Sequence, residues 1–261
     1  KADSQGADIV MATDPDADRL GVYAKDSATG EYVSFTGNMS GMLIANYILK
    51  EKKALGQLPD NAALVKTIVT TNMADALCEE YGVSEIEVLT GFKYIGEQIR
   101  LFEENNSYEY VFGLEESYGC LAGTYARDKD ACVAVMMLCE VAAYYKSKGK
   151  TLWDGMIELY EQFGYYREGL ETITMKGISG AEAIKNLMDK LRQNPPSKLG
   201  GLKVTRVSDY LTDDTKVTLP KSNVLYFDME DNAWCCARPS GTEPKIKFYM
   251  GVKGSSLADS E

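Results

Sequence analysis

The sequence predicts an α/β protein that ends in a separate α+β unit, and three observations lead to this prediction. A short apolar run at residues 7–13 leads directly into an acidic loop at residues 14–19, which indicates a strand followed by a turn. Strand and helix patterns then alternate from residue 63 to residue 163, as in a mainly parallel sheet with helices on its faces. From about residue 165 the pattern changes to several strands and one helix.

The individual elements follow from hydrophobic periodicity and from turn residues. The first segment is predicted to contain strands at residues 7–13, 20–25 and 32–35, a helix at 38–55 and a linker at 57–61. The alternating unit is predicted to contain strands at 63–70, 86–89 and 108–113 and helices at 73–81, 92–104, 130–148 and 152–163. The last unit is predicted to contain strands at 169–175, 203–208, 223–229, 233–238 and 244–252 and a helix at 180–192.

Composition excludes several classes of function. The formal net charge of −11 argues against broad binding to nucleic acids or anionic membranes, and no apolar run reaches bilayer length. The chain has no histidine, so acid–base chemistry falls to Lys, Glu, Asp or Tyr. The helix at 130–148 is apolar nearly all round, which predicts that it is buried and that Cys132 and Cys139 are buried free thiols. This cysteine usage predicts a reducing, cytoplasmic location.

The acidic loop presents three carboxylates within five residues: Asp14, Asp16 and Asp18. Such charges repel one another unless a cation lies among them, and oxygen ligands suit Mg²⁺ or Ca²⁺. An EF-hand needs glycine and glutamate where this loop has Arg19 and Lys25, so that interpretation fails. The guanidinium of Arg19 is better explained as a phosphate contact beside a metal. The alternative is a solvated acidic turn.

A second motif, Arg-Pro-Ser-Gly-Thr-Glu-Pro-Lys, occupies residues 238–245. Gly241 allows a sharp turn in which backbone N–H groups and two hydroxyls converge on an anion. Arg238 enters from the preceding strand, while Lys245 and Lys247 share one face of the following strand. In an acidic protein this arrangement favours phosphate binding over a plain surface turn.

Three further loops follow predicted strands or precede predicted helices. Residues 113–119 offer two carboxylates and a hydroxyl, which suit sugar hydroxyls or form an acidic loop without function. Lys129 precedes a helix N-terminus, whose positive end should lower the lysine's pKa and fit it for general-base catalysis. A surface cluster within residues 126–130 that only satisfies itself is the alternative. Gly91, within residues 90–93, allows a ligand to approach the backbone closely.

Along the chain the five motifs occur in the order 14–19, 90–93, 113–119, 126–130 and 238–244. Together they resemble the α-D-phosphohexomutase superfamily, most closely its phosphoglucomutase branch, which includes phosphopentomutase-like enzymes. The resemblance covers essentially the whole chain. It implies a truncated mixed-sheet α/β domain at residues 1–58, a complete three-layer α/β domain at 59–165 and a C-terminal α+β domain at 166–261. These would be the end of the second domain, the third domain and most of the fourth.

The resemblance also implies roles for individual residues. The Mg²⁺ ligands would be Asp14, Asp16 and Asp18, with Arg19 and Lys129 as catalytic residues near the reacting phosphate. The sugar and its phosphates would be bound by Thr90, Gly91, Lys93, Glu115, Ser117, Arg127, Arg238, Ser240, Gly241 and Thr242. The implied reaction interconverts sugar 1-phosphate and 6-phosphate through a phosphoserine and a bisphosphate, with glucose 1,6-bisphosphate as activator.

One departure from the family pattern bears on activity. The family's phosphoserine loop lies in a first domain, and no such loop occurs in this sequence. The chain therefore resembles a mutase fragment that is inactive alone and has its missing N-terminal domains and a phosphosugar as partners, without nucleic acid or membrane. A phosphomannomutase or phosphopentomutase fragment, or a noncatalytic sugar-phosphate-binding module, is the alternative.

Overall fold

A computed structural model describes residues 2–175, 177–212, 215, 217–241 and 243–260. The chain divides into two compact units, residues 1–164 and 165–261. The first unit contains, in chain order, β1 (Ile9–Thr13), β2 (Leu20–Lys25), β3 (Tyr32–Phe35), α1 (Gly37–Ala54), β4 (Ala62–Thr67), α2 (Met73–Tyr81), β5 (Ser84–Val88), α3 (Phe92–Asn105), β6 (Glu109–Leu114), β7 (Cys120–Ala122), α4 (Ala131–Ser147) and α5 (Leu152–Phe163).

The first three strands form an antiparallel sheet in the order β1-β2-β3. Alternate residues of β2, Leu20, Val22 and Ala24, are buried, as the period of two in a strand requires. Thr36 then caps α1, because its side chain accepts a hydrogen bond from the Met39 amide.

The second sheet has the order β5-β4-β6-β7. The central strand β4 runs parallel to β5 and β6, and all six of its residues are buried because helices cover both of its faces. The antiparallel edge strand β7 was absent from the prediction, since three residues give too short a pattern. The carboxyl ends of β4, β5 and β6 lie at one edge of the sheet, where ligands bind in folds of this kind.

The prediction that α4 is wholly buried is wrong for this chain. One face, which includes Leu138 and Val141, packs inside, but Met136 is 57% exposed. The free thiols of Cys132 and Cys139 are exposed rather than buried. Apolar residues all round a helix therefore do not ensure that it is buried, because the described residues cover only one face of α4.

A lysine on β4 is buried within a cluster of acidic side chains. The Lys66 side chain is fully buried, and its ammonium lies 2.7 Å from Asp75 and 3.4 Å from both Glu85 and Glu87. The Asn72 side-chain oxygen accepts a further hydrogen bond at 3.3 Å. These carboxylates raise the pKa of Lys66 although burial acts against its charge. Three acids for one lysine leave an excess of negative charge.

We expect this excess to make stability fall with pH between about pH 5 and 8. Burial raises the pKa of Glu85 to about 8, and the neighbouring Asp75 adds to this, although the Lys66 ammonium opposes it. The folded chain then binds a proton that the unfolded chain releases near its ordinary pKa, so folding loses stability as pH rises through that window. Glu85→Gln should therefore gain stability relative to the parent chain as pH rises.

Urea denaturation at pH 5, 7 and 8.5 measures this difference. Glu79→Gln, which removes one charge from the exposed face of α2, is the matched control. A difference between Glu85→Gln and the parent chain that is the same at all three pH values would contradict the prediction.

The second unit is an antiparallel sheet with one long helix. Its strands lie in the order β8-β13-β12-β11-β10-β9. Its elements are β8 (Tyr165–Thr174), α6 (Gly177–Gln193), β9 (Lys198–Leu199), β10 (Leu202–Asp209), β11 (Leu225–Met229), β12 (Trp234–Pro239), β13 (Lys245–Gly254) and α7 (Leu257–Ser260). The inner side of α6 places Ile184 and Met188 against Ala237 and Ile246, which makes an α+β core.

The predicted fold class is confirmed, since the structure contains both an α/β and an α+β unit. The predicted division of the first unit at residues 58 and 59 stays a prediction. No helix among the described residues is both long enough and apolar enough to span a membrane.

Candidate functional site

The acidic loop folds so that its three carboxylates converge. Asp14, Asp16 and Asp18 each place an oxygen within 4.8 Å of the others. The Asp14 side chain accepts hydrogen bonds from the Asp18 and Arg19 amides at 3.1 and 3.0 Å, and Ala17 adopts a left-handed φ of 57° that closes the turn. The hydrogen bond from the Arg19 amide is the main cause of the lowered pKa of Asp14, so this carboxylate is ionised at neutral pH.

This donor set fits a hard divalent cation such as Mg²⁺. All three side chains offer carboxylate oxygen, which Mg²⁺ prefers. Oδ1 of Asp18 is buried and accepts no hydrogen bond from any residue that the structure describes. A buried acceptor without a donor is costly, and a bound cation would satisfy it. These residues therefore suit the metal that the resemblance implies.

The ammonium of Lys129 lies 2.9 Å from Asp18 and 2.9 Å from Asp128, and it also faces the ring of Phe92. The prediction of a lowered pKa for Lys129 is wrong. Partial burial does act to lower the pKa, but the hydrogen bonds to the two carboxylates outweigh it, and the pKa of Lys129 is raised. The helix α4 begins at Ala131, and the effect of its positive end on the pKa of Lys129 is smaller than the effect of these direct contacts.

Glu115 links two of the predicted substrate-binding loops. Its buried side chain accepts a hydrogen bond from the Gly91 amide at 3.0 Å. Burial raises the pKa of Glu115, although the Lys129 ammonium, the Gly91 amide and Arg19 oppose this rise. Gly91 has a φ of 119°, which side chains rarely tolerate, so the backbone requires glycine at this junction, and the predicted close approach of a ligand stays a prediction.

Backbone hydrogen bonds hold the acidic loop against the other loops. The Leu20 amide donates to the Tyr118 carbonyl at 3.1 Å, and the Ala131 amide donates to the Ala17 carbonyl at 3.0 Å. One bond joins the acidic loop to the Glu115 loop, and the other joins it to the start of α4. The predicted metal ligands, Glu115, Gly91 and Lys129 thus lie together within the first unit.

Other predicted site residues lie nearby but have other contacts. The Arg127 guanidinium donates to Glu103 of α3 at 2.6 Å and to the Thr124 carbonyl at 2.5 Å. The exposed Lys93 ammonium lies 4.8 Å from the ring centroid of Tyr94. Two further predicted residues, Thr90 and Ser117, are half-buried, and the side chain of Arg19 is 53% exposed.

Sequence reasoning missed the support beneath the Glu115 loop. The buried hydroxyl of Thr67, at the end of β4, donates to Glu116 at 3.3 Å and lies 2.9 Å from the Thr70 hydroxyl. A Cβ on Gly37 would overlap the Glu116 carbonyl and the Tyr118 amide, so α1 approaches this loop as closely as backbone can. Two threonines spaced by three residues at a strand end were the available signal.

The phosphate motif lies on the hairpin between β12 and β13. Arg238 is directly opposite Lys247 in the sheet, and neither has an acidic partner among the described residues. Like charges opposite one another in a sheet are destabilising, so an anion bound between Arg238 and Lys247 would reduce their repulsion. Lys245 is instead paired with Glu243.

The backbone of this loop is held by two hydrogen bonds. The Ser240 amide donates to the Lys245 carbonyl at 2.8 Å, and the Glu243 amide donates to the Ser240 hydroxyl at 3.3 Å. Gly241 does not have a positive φ, and a Cβ there would meet open space, so the backbone of this turn does not itself require glycine. The remaining predicted residue, Thr242, lies outside the described residues.

Comparison with known proteins identifies the family. The family model for phosphoglucomutase/phosphomannomutase, alpha/beta/alpha domain III, matches residues 36–163. The phosphoglucomutase of Staphylococcus aureus (strain USA300) is 36% identical over 267 residues, which cover 99% of this chain and 47% of that protein. The chain therefore spans about half the length of the curated relatives it matches.

Solved structures share the fold. Parafusin (phosphoglucomutase) from Paramecium matches with a TM-score of 0.66 at 19% identity, covering 96% of this chain and 41% of that one. The N-acetylphosphoglucosamine mutase of Aspergillus fumigatus, solved with GlcNAc-6P and magnesium, matches with a TM-score of 0.54 at 14% identity, covering 96% and 46%. The family model and the 36% identity along nearly the whole chain assign residues 36–163 to domain III of the phosphoglucomutase/phosphomannomutase family, and the solved structures share the fold of this chain.

Proposed function

We propose that this chain supplies the metal-binding, sugar-binding and phosphate-binding loops of a phosphoglucomutase-type phosphotransferase. The reaction would interconvert sugar 1-phosphate and 6-phosphate by way of a phosphoserine and a bisphosphate intermediate. The observation that best supports this proposal is the 2.9 Å contact between Lys129 and Asp18, because it joins the acidic loop to the candidate proton donor. Glucose is the favoured sugar, since the curated relatives are phosphoglucomutases.

Asp14, Asp16 and Asp18 would hold Mg²⁺, which neutralises charge on the transferred phosphoryl group when it is bound. Arg19 would contact the same phosphoryl group, because an exposed guanidinium beside the loop can pair with two phosphate oxygens. Lys129 would act as a general acid or base near this phosphoryl group, since its ammonium lies 2.9 Å from Asp18 of the acidic loop.

The sugar would be oriented by Glu115 and Ser117, whose oxygens can accept or donate hydrogen bonds to its hydroxyls. Thr90 and Gly91 would line the same place, because the Gly91 amide already bonds to Glu115. Lys93 and Arg127 would add positive charge at the edge of this site and attract a phosphosugar. A bound sugar would thus be held by one rigid set of loops, which promotes reaction by orientation.

Arg238, Ser240, Gly241 and Thr242 would hold the phosphate that is not reacting. We propose that phosphoryl transfer also requires the phosphoserine and residues beyond this chain, so this chain alone should not turn over substrate. Glucose 1,6-bisphosphate would serve as activator and intermediate in the longer protein, and a cytoplasmic location fits such a substrate. Phosphomannomutase or phosphopentomutase activity, or binding without catalysis, is the alternative.

An NMR titration with glucose 1-phosphate tests the phosphate loop. Arg238→Ala should weaken binding roughly tenfold, because it removes a charged hydrogen bond worth about 1.5–3 kcal/mol. A loss of about 1.4 kcal/mol corresponds to a tenfold lower affinity. Amide shifts in the parent chain should include residues 238–241. Lys203→Ala removes an exposed cation from β10 and should leave binding unchanged. Equal binding by the parent chain and Arg238→Ala would show that the loop is only a turn.

A further inference from the structure

The first unit contains a cavity far from the acidic loop. Its volume is about 790 Å³, and its walls include Asn61, before β4, and Glu109, at the start of β6. The candidate site lies at the opposite, carboxyl ends of these strands. Since a strand rises about 3.3 Å per residue, the six residues of β6 separate the two places by roughly 20 Å. The cavity is therefore distinct from the site already described.

The cavity exists because the edge strand β7 is short. It pairs only with residues 112–114 of β6. Gly123, with a φ of 85°, then turns the chain away, which leaves the edge of β6 at residues 109–111 uncovered by any strand. Helices α1, α3 and α4 supply the remaining walls.

The walls combine aromatic rings with uncharged polar groups. The half-buried ring of Tyr108 packs edge to face on the buried ring of Phe102, with ring centroids 5.3 Å apart. The side-chain amides of Asn61 and Asn106 have no hydrogen-bond partner among the residues that the structure describes, so they are free to bind a ligand. The charges around the cavity are balanced, since Lys52 and the Arg127 partner of Glu103 offset the carboxylates of Glu103 and Glu109.

We propose that this cavity binds a neutral, hydroxyl-rich ligand of the saccharide class. The half-buried ring of Tyr108 offers a flat apolar surface to the C–H face of a sugar, and side-chain amides both donate to and accept from hydroxyls. The balanced charge of the walls gives no advantage to a phosphate or to a cation. The volume lies within the roughly 300–1,000 Å³ of small-molecule sites.

A ligand in the cavity would contact residues that hold Arg127. The Glu103 carboxylate lines the cavity and also accepts the 2.6 Å hydrogen bond from Arg127. Thr124, another wall residue, accepts a second bond from the same guanidinium. A sugar hydroxyl that bonds to Glu103 therefore changes the surroundings of the Arg127 guanidinium. That a ligand in the cavity affects substrate binding through Arg127 rests on the proposed function. That the cavity binds a saccharide does not rest on it.

An NMR titration of the whole chain with maltose, an uncharged disaccharide, tests the proposal. Amide shifts should appear at Asn61 and residues 106–111, and the side-chain Nε signal of Arg127 should move with the same concentration dependence. Absence of shifts at millimolar maltose would overturn the proposal. Shifts confined to Gly91 and Glu115 would also overturn it, while supporting a sugar site at the acidic loop.

Variants locate the binding. Tyr108→Leu keeps an apolar contact with Phe102 but removes the ring, and it should weaken maltose binding at least about fivefold. Asn61→Ala, at an exposed position, should weaken it about threefold or more without affecting the fold. Tyr23→Leu removes a ring that is 48% exposed on β2 and is the matched control. Equal affinity in all three variants would contradict the assignment to this cavity.

Discussion

Replacing Lys66 with methionine should lower the free energy of unfolding of the first unit by about 3 kcal/mol, the lower end of the ~3–5 kcal/mol for breaking a buried ion pair. Methionine fills a similar space, but Asp75, Glu85 and Glu87 would lose the ammonium that lies 2.7 to 3.4 Å from them. The lower end applies because Asp75 is half exposed and water can partly solvate it.

Urea denaturation measures this loss. Trp153 of α5 packs edge to face on Phe35 and reports the first unit, provided that Trp234, the chain's other tryptophan, is replaced by phenylalanine in every sample. Lys52→Met is the matched control, since the described residues provide Lys52 with no acidic partner. A loss in Lys66→Met no larger than in the control would contradict the account of the cluster.

Neutralising Asp16 should weaken divalent-cation binding by roughly 10–100-fold or more. Removing even a group that only hydrogen-bonds to a metal ligand lowers the metal affinity by about that factor, and Asp16 is proposed as a direct ligand. Asp16 is exposed and its side chain accepts no hydrogen bond from the described residues, so Asp16→Asn should leave the loop folded. Asp14 is less suitable, since its carboxylate holds the Asp18 and Arg19 amides. Calorimetric titration with Mn²⁺ gives the affinity.

Asp60→Asn, at an exposed position outside the loop, controls for the loss of one negative charge. The parent chain and this control should bind one Mn²⁺ with equal affinity. Unchanged affinity in Asp16→Asn would remove the acidic loop from the proposed function.

Local patterns predicted most of the fold because each element has its own signal. The helix at Met73–Tyr81 has the predicted bounds, since its apolar spacing ends at Gly82, whose φ of 70° stops the helix. The short strand β7 has no such signal, because its pairing depends on β6 rather than on its own three residues. Likewise, the exposure of Cys132 depends on what packs against α4, which its periodicity does not reveal.

Motif residues were predictable one by one, but their contacts were not. Sequence position placed Lys129 before a helix and suggested a lowered pKa, whereas its pKa depends on Asp18, which is distant in sequence. Arg127 lies in a predicted motif, yet its guanidinium is held by Glu103, a residue without any motif. The buried Lys66 also escaped prediction, because its acidic partners come from a helix and a neighbouring strand.

The central claim is that the acidic loop, the Gly91 and Glu115 loops and Lys129 form a single site, and paramagnetic broadening by Mn²⁺ tests it most directly. At a substoichiometric amount of Mn²⁺, amide signals of residues 14–19 should broaden together with those of Gly91, Glu115 and Lys129. The Glu109 amide, at the other end of β6, should broaden far less. Asp16→Asn should abolish all broadening at the same concentration. Broadening of residues 14–19 while Gly91, Glu115 and Lys129 stay as sharp as Glu109 would contradict the account.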